Sequence, residues 1–209
     1  MTTDILHTQI LPTELHPFLP SPTSSPPNVT PRRRQKKPLA VLLLGQTGAG
    51  KTRLAPLLLS AFPPSQESPP PLHLIADTYK TYHPSYSACL ASHRPELASR
   101  LTSAAAAAWL HSVCVHAAQS HIPNILIETA CRREGDFERL AETFLGQGYV
   151  VRVVVLGVPA ALSRLGVMVR YWMRLPEAGP ARGLPVRLTP RGVHDGSFGG
   201  VGGAVGWVD

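Results

Sequence analysis

The segment Gly45-Gln46-Thr47-Gly48-Ala49-Gly50-Lys51-Thr52 constrains this chain more than any other, because it matches GxxxxGK[ST] directly after the apolar run Leu39 to Leu44. A buried strand, a glycine-rich turn and a helix in that order make a phosphate-binding loop. Its glycines let the backbone curl so that N–H groups and the N-terminus of the next helix face phosphate oxygens. The loop therefore predicts a nucleoside triphosphate ligand, ATP, with Lys51 reaching the β- and γ-phosphates and the Thr52 hydroxyl holding Mg²⁺.

Beyond Pro38, short apolar runs alternate with longer helical stretches. Strands are predicted at Leu72-His73-Leu74-Ile75-Ala76, ending at Asp77, then at Asn124 to Glu128 and at Tyr149 to Val158. Helices are predicted from Gly50 to about Ala61, from near Glu96 to His121, over Asp136 to Leu145, and from Pro159 through Tyr171 and Trp172. Pro56 is expected to kink or shorten the first of these. This alternation implies an α/β fold of the P-loop NTPase type, three layers in αβα order with a mostly parallel sheet and the ligand at the carboxyl ends of the strands.

The ends of the chain differ from this pattern. Residues 1–38 are rich in Pro, Ser and Thr and show no sustained apolar period, so they are expected to form a disordered tail. Residues 39–199 form the expected domain. The stretch Gly196 to Asp209 is mostly Gly and Val without helix or strand period, and residues 200–209 are expected to be a truncated, Gly-rich terminus.

The net charge of +7 comes from 20 basic and 13 acidic residues, but Arg32, Arg33, Arg34, Lys36 and Lys37 lie together in the tail. Without these five the balance is 15 basic against 13 acidic, too even for a nucleic-acid footprint on the domain. Cys89, Cys114 and Cys131 have no CxxC spacing and suit a reducing compartment. With no signal segment and no apolar run long enough to span a bilayer, the expectation is a soluble, cytoplasmic protein, monomeric by default, with no membrane partner.

The second and third strands deliver Asp77 and Glu128 to the ligand edge. Asp77 there can accept the proton of an attacking hydroxyl, or it can cap a turn or support Mg²⁺ through water. Glu128 can serve the metal or the acceptor, or cap a helix, with Arg132 or Arg133 as a charge partner. Arg170 and Arg174 share a helix face four residues apart, and Arg187 and Arg191 follow in a Pro-rich loop; a phosphoryl transition state needs such charge. The histidines, including His111, His116 and His121 at intervals of five, match no zinc spacing.

Several segments taken together resemble the zeta toxin kinases. They are the loop Gly45 to Thr52, Asp77-Thr78-Tyr79-Lys80 with His83-Pro84-Ser85-Tyr86, Ile127-Glu128-Thr129-Ala130-Cys131-Arg132, Gly148 to Val153, Ser163-Arg164-Leu165-Gly166 leading to Arg170-Tyr171, and Leu188-Thr189-Pro190 with Val193-His194-Asp195. The resemblance implies a P-loop kinase-like fold and transfer of the ATP γ-phosphate to a sugar hydroxyl, UDP-N-acetylglucosamine being the bacterial toxins' acceptor. It implies catalytic roles for Lys51, Asp77, Arg170 and Arg187, with Arg182 competing for the last of these. Glu128, Lys80, His83 and Arg132 would bind the acceptor, Lys80 standing where the family commonly has Arg. An antitoxin-like inhibitor is the partner it implies. The family usually continues with further helices, so a chain ending in glycine is expected to be marginally stable. The rival readings are an ATP-binding module without turnover and a P-loop kinase for another acceptor, an antibiotic or a polynucleotide end.

Overall fold

The computed structural model of the chain describes residues 2–19, 37–62, 70–91, 96–130, 135–174, 189 and 191–208. Among them, β1 (Leu39–Gly45), β2 (Leu72–Ile75), β3 (Asn124–Thr129) and β4 (Val150–Leu156) form one sheet in the order β2-β3-β1-β4. Every pairing is parallel, with Leu43 opposite Glu128 and Ile75 opposite Glu128 on the other side. The helices are α1 (Thr2–Ile5), α2 (Leu11–Glu14), α3 (Lys51–Ser60), α4 (Ser85–Ala91), α5 (Glu96–Gln119), α6 (Asp136–Leu145), α7 (Ala160–Arg174) and α8 (Arg191–Val208).

The unbroken apolar run of β1 is explained by what covers it. Ala40, Leu42 and Leu44 enter a cluster with Trp109, Val113 and Ala117 of α5 and Phe137 and Phe144 of α6. Val41 and Leu43 point the other way, onto Ala55 of α3, Phe62 and Leu126. A strand buried on both faces needs no polar alternation. On α6 the buried residues Phe137, Leu140, Ala141 and Phe144 fall at helical spacing, which gives that helix its inner face. The expected three-layer α/β architecture is therefore the observed one, and helix α3 runs on through Pro56.

Both ends depart from expectation. In the segment read as a disordered tail, residues 2–19 form helical turns, and Ile5, Leu6, Ile10, Leu11 and Leu15 join the main core. Ile5, Ile10 and Leu15 recur every five residues, a period that matches no α-helical face. The chain accommodates them with a π-turn at Leu6–Ile10, closed by the Leu11 N–H on Leu6 O. Residues 20–36, with most of the basic cluster, lie outside the described residues.

At the other end, the stretch expected to lack regular structure is helix α8. Its glycines each cost up to about 1 kcal/mol of helix propensity, and docking onto the domain overrides that preference. No helix among the described residues is long and apolar enough to cross a membrane.

Candidate active site at the phosphate-binding loop

The loop leaves β1 at Gly45 and enters α3 at Lys51. Gly50, at the helix N-cap, has φ 95° and Gly48 has φ 88°, conformations that a side chain would strain. Gly48 carries a second constraint: an added Cβ would collide with the Ser163 carbonyl and with Val167 of α7. Gly166, one helical turn further on, lies against the Gly48 carbonyl with the same lack of room. Helix α7 is thus seated directly on the loop. Gln46 and Thr47 are buried, and the Gln46 side-chain amide donates to the Val158 carbonyl at the entry to α7.

Lys51 Nζ donates to Gly45 O at 2.5 Å and to Gln46 O at 3.2 Å, which folds the ammonium over the loop. The exposed Thr52 donates its hydroxyl to Glu128 Oε1 at 2.8 Å. Glu128 is 6 % exposed, and its other oxygen, Oε2, has no hydrogen-bond donor; His73 Nε2 stands 3.7 Å away, a charge-pair distance rather than a hydrogen bond. Burial works to raise the Glu128 pKa, but His73, the Thr52 hydroxyl and the Lys51 charge outweigh it, so the carboxyl is held below its ordinary value.

Asp77 follows β2 on the strand next to Glu128, and the intervening Ala76 N–H donates to Glu128 O at 3.0 Å. Thr78–Tyr82 then form a 3-10 turn. Lys80 is buried and its ammonium pairs with Asp77, whose side chain is half exposed. His83 accepts the Ser85 N–H through Nδ1 at 3.2 Å and lies near the Trp109 ring. Loop, Glu128, Asp77 and Lys80 therefore share the carboxyl edge of three adjacent strands.

Arg170 lies on the exposed side of α7 and donates to Thr189 Oγ1 at 3.0 Å. Arg132, Arg182 and Arg187 fall outside the described residues. The exposed Thr52 hydroxyl and the Glu128 carboxylate lie beside the N-terminus of α3, a donor set that fits phosphate with a hard divalent cation. His73 had no place in the sequence reading, because a histidine inside an apolar strand run gives no motif. Ser163, Gly166, His194 and Ser197 also touch this site or its support, and Gly166, a glycine inside a helix, was the available sign of a close backbone approach.

The zeta toxin family model matches residues 28–208. The chain belongs to the zeta toxin family. Among solved structures it is similar to one from the PezAT chromosomal toxin–antitoxin system of Streptococcus pneumoniae, with a TM-score of 0.56 and 25 % identity over 68 % of this chain and 56 % of that one. It thus spans little more than half of that neighbour's length. The AvrRxo1-ORF1:-ORF2 structure with ATP gives a TM-score of 0.53 at 18 % identity, covering 82 % of this chain and 49 % of that one. The Pnkp1/Rnl/Hen1 RNA repair complex gives 0.54 at 13 %, covering 88 % and 49 %. These last two likenesses speak to the fold alone. No curated protein matches the chain. The zeta toxin match begins after the helical turns of residues 2–19.

Proposed function

We propose that this zeta toxin family member is an ATP-dependent kinase that phosphorylates a hydroxyl of a small molecule, a nucleotide sugar such as UDP-N-acetylglucosamine. The observation that carries this reading is the convergence of the Lys51–Thr52 loop, the buried Glu128 bonded to Thr52, and Asp77 one strand away.

In this reading the backbone N–H groups of Gly48, Gly50, Lys51 and Thr52 at the N-terminus of α3 bind the triphosphate, with Lys51 swinging from the loop carbonyls to the outer phosphates. Thr52 and Glu128 would hold hydrated Mg²⁺. That ion, when bound, neutralises charge on the phosphate oxygens. Asp77 accepts the proton of the acceptor hydroxyl as its oxygen bonds to the γ-phosphorus and ADP departs. Lys80 keeps Asp77 in place as a carboxylate, and Arg170 and Arg187 supply charge to the transferred group. His83 and Arg132 complete the acceptor side. A cytoplasmic setting, where ATP and sugar nucleotides occur, belongs to the same proposal. The similarity to a toxin–antitoxin structure supports adding an antitoxin-like inhibitor as a partner.

The test follows ADP and phosphorylated UDP-N-acetylglucosamine for the parent chain, Lys51→Ala and Asp77→Ala. Product from the parent, with losses of about 10²-fold or more in both variants, is the expected result. ATP binding by the parent that survives Asp77→Ala, with no product from any acceptor in a screen of sugar nucleotides, antibiotics and polynucleotide ends, would make the protein a binding module instead.

A further inference from the structure

Ser163, His194 and Asp195 stand in the order and at the distances of a hydrolytic triad. Ser163 Oγ is 2.7 Å from His194 Nε2, and His194 Nδ1 is 2.9 Å from Asp195 Oδ1. Hydrolysis requires a carbonyl carbon to reach the serine oxygen. Ser163 is fully buried, its backbone pressed against Gly48 and its hydroxyl under α8, so no substrate has access. The three residues therefore do something other than hydrolysis, and their neighbours indicate what.

Asp195 is gripped from two sides, by Arg164 Nη2 at 2.9 Å and by Arg191 Nε at 3.4 Å. The His194 carbonyl accepts the Ser197 hydroxyl at 2.7 Å, and the Ser197 oxygen accepts the backbone N–H of Thr47 at 3.1 Å. Ser197 and His194 are both buried. Hydrogen bonds thus tie α7 to the His194 ring on α8, and the same turn of α8, through the His194 carbonyl and Ser197, to the phosphate-binding loop. Together with the Ser163 carbonyl against Gly48, they hold two consecutive loop residues from outside.

We infer that Ser163, His194, Asp195 and Ser197 are positioning residues that lock Thr47 and Gly48, and so preset the loop's N–H groups for nucleotide phosphate. The glycine-rich helix α8 is then part of the nucleotide site without touching the nucleotide. Preorganised donors bind an anion more tightly than donors that must be ordered on arrival. Ser163, His194 and Ser197 are buried polar side chains, and each has a hydrogen-bond partner. The binding half of this inference rests on the nucleotide reading proposed above, whereas the rigidity of the loop does not.

The experiment uses the full chain and two readouts: hydrogen exchange of the peptide covering residues 45–52 without nucleotide, and the dissociation constant for Mg-ADP. Ser197→Ala removes one hydroxyl, His194→Ala cuts the relay at its centre, and Phe198→Ala, at an exposed position on the same helix, is the control. Loop exchange about tenfold faster and Mg-ADP binding about tenfold weaker are expected for Ser197→Ala and His194→Ala, with a double variant no worse than the stronger single one. If His194→Ala does not fold, Ser163→Ala interrupts the same relay. Unchanged loop exchange in folded Ser197→Ala would overturn the inference, whatever happens to the melting temperature. Faster exchange in a chain whose parent binds no Mg-ADP would keep the lock and sink the nucleotide reading.

Discussion

The two ends of the chain meet the domain by opposite means. The N-terminal turns insert Ile5, Leu6, Ile10, Leu11 and Leu15 into the main core, and Glu14 Oε1 accepts the Tyr82 hydroxyl of the 3-10 turn at 2.8 Å. Helix α8 buries His194 and Ser197 and is tied by hydrogen bonds that end on the phosphate-binding loop. Apolar burial is strong and nondirectional, whereas a hydrogen-bond chain is weak in net terms and strict in geometry. The difference assigns stability to the first end and site geometry to the second.

The largest effect should come from Ile10→Ala. Ile10 is fully buried, and truncation to alanine leaves a cavity costing about 2–5 kcal/mol. Denaturant unfolding should show that loss while the Mg-ADP dissociation constant of the folded protein stays within about twofold of the parent, less than 0.5 kcal/mol. A large change in nucleotide affinity with little change in stability would break the division between the ends.

Much of this arrangement is legible in the sequence. The four strands and the helix over Asp136–Leu145 followed from periods of apolar residues, because helices on both faces of a parallel sheet leave long unambiguous runs. The placement of Asp77 and Glu128 at one edge followed from strand ends. The N-terminal turns were hidden because a five-residue apolar spacing has no meaning for an ordinary helix, and Pro12 and Pro17 argue for a loop. The α8 helix was hidden because its glycines speak against a helix, and its described docking residues His194 and Ser197 find their partners far away in sequence. What stayed illegible is long-range: nothing local says that Ser197 will accept from Thr47, 150 residues away.

A smaller effect is expected from Tyr82→Phe, which keeps the ring and removes the bond to Glu14. The loss should be about 1.5–3 kcal/mol, as for a hydrogen bond to a charged group. Because the turn Thr78–Tyr82 carries Lys80, the variant also sharpens the comparison. If the N-terminal end serves stability alone, the acceptor KM should not move. A KM rise several times larger than the loss of stability implies would give that end a share in the site.

The smallest effect, and the one that separates the ends most cleanly, is their dependence on pH. Burial, reinforced by the Glu14 carboxylate, pushes the Tyr82 hydroxyl up from 10.0 to about 12. A raised pKa means stability fully present below the unfolded value and lost as pH climbs through the folded one, so the N-terminal tie should weaken between about 10 and about 12. His194, then Arg164, hold Asp195 down from 3.8 to about 2, with Arg191 adding to the pull. A depressed pKa means stability present above the unfolded value and lost as pH falls, so the C-terminal relay should weaken between about 3.8 and about 2. Asp195 faces solvent, so its share is small and shrinks with added salt. Melting temperatures across both windows should therefore fall less steeply for Tyr82→Phe on the alkaline side alone, and for Asp195→Asn on the acid side alone. An Asp195→Asn profile parallel to the parent's below pH 3.8 would mean that the carboxylate does not hold His194, and the relay would lose its outer anchor.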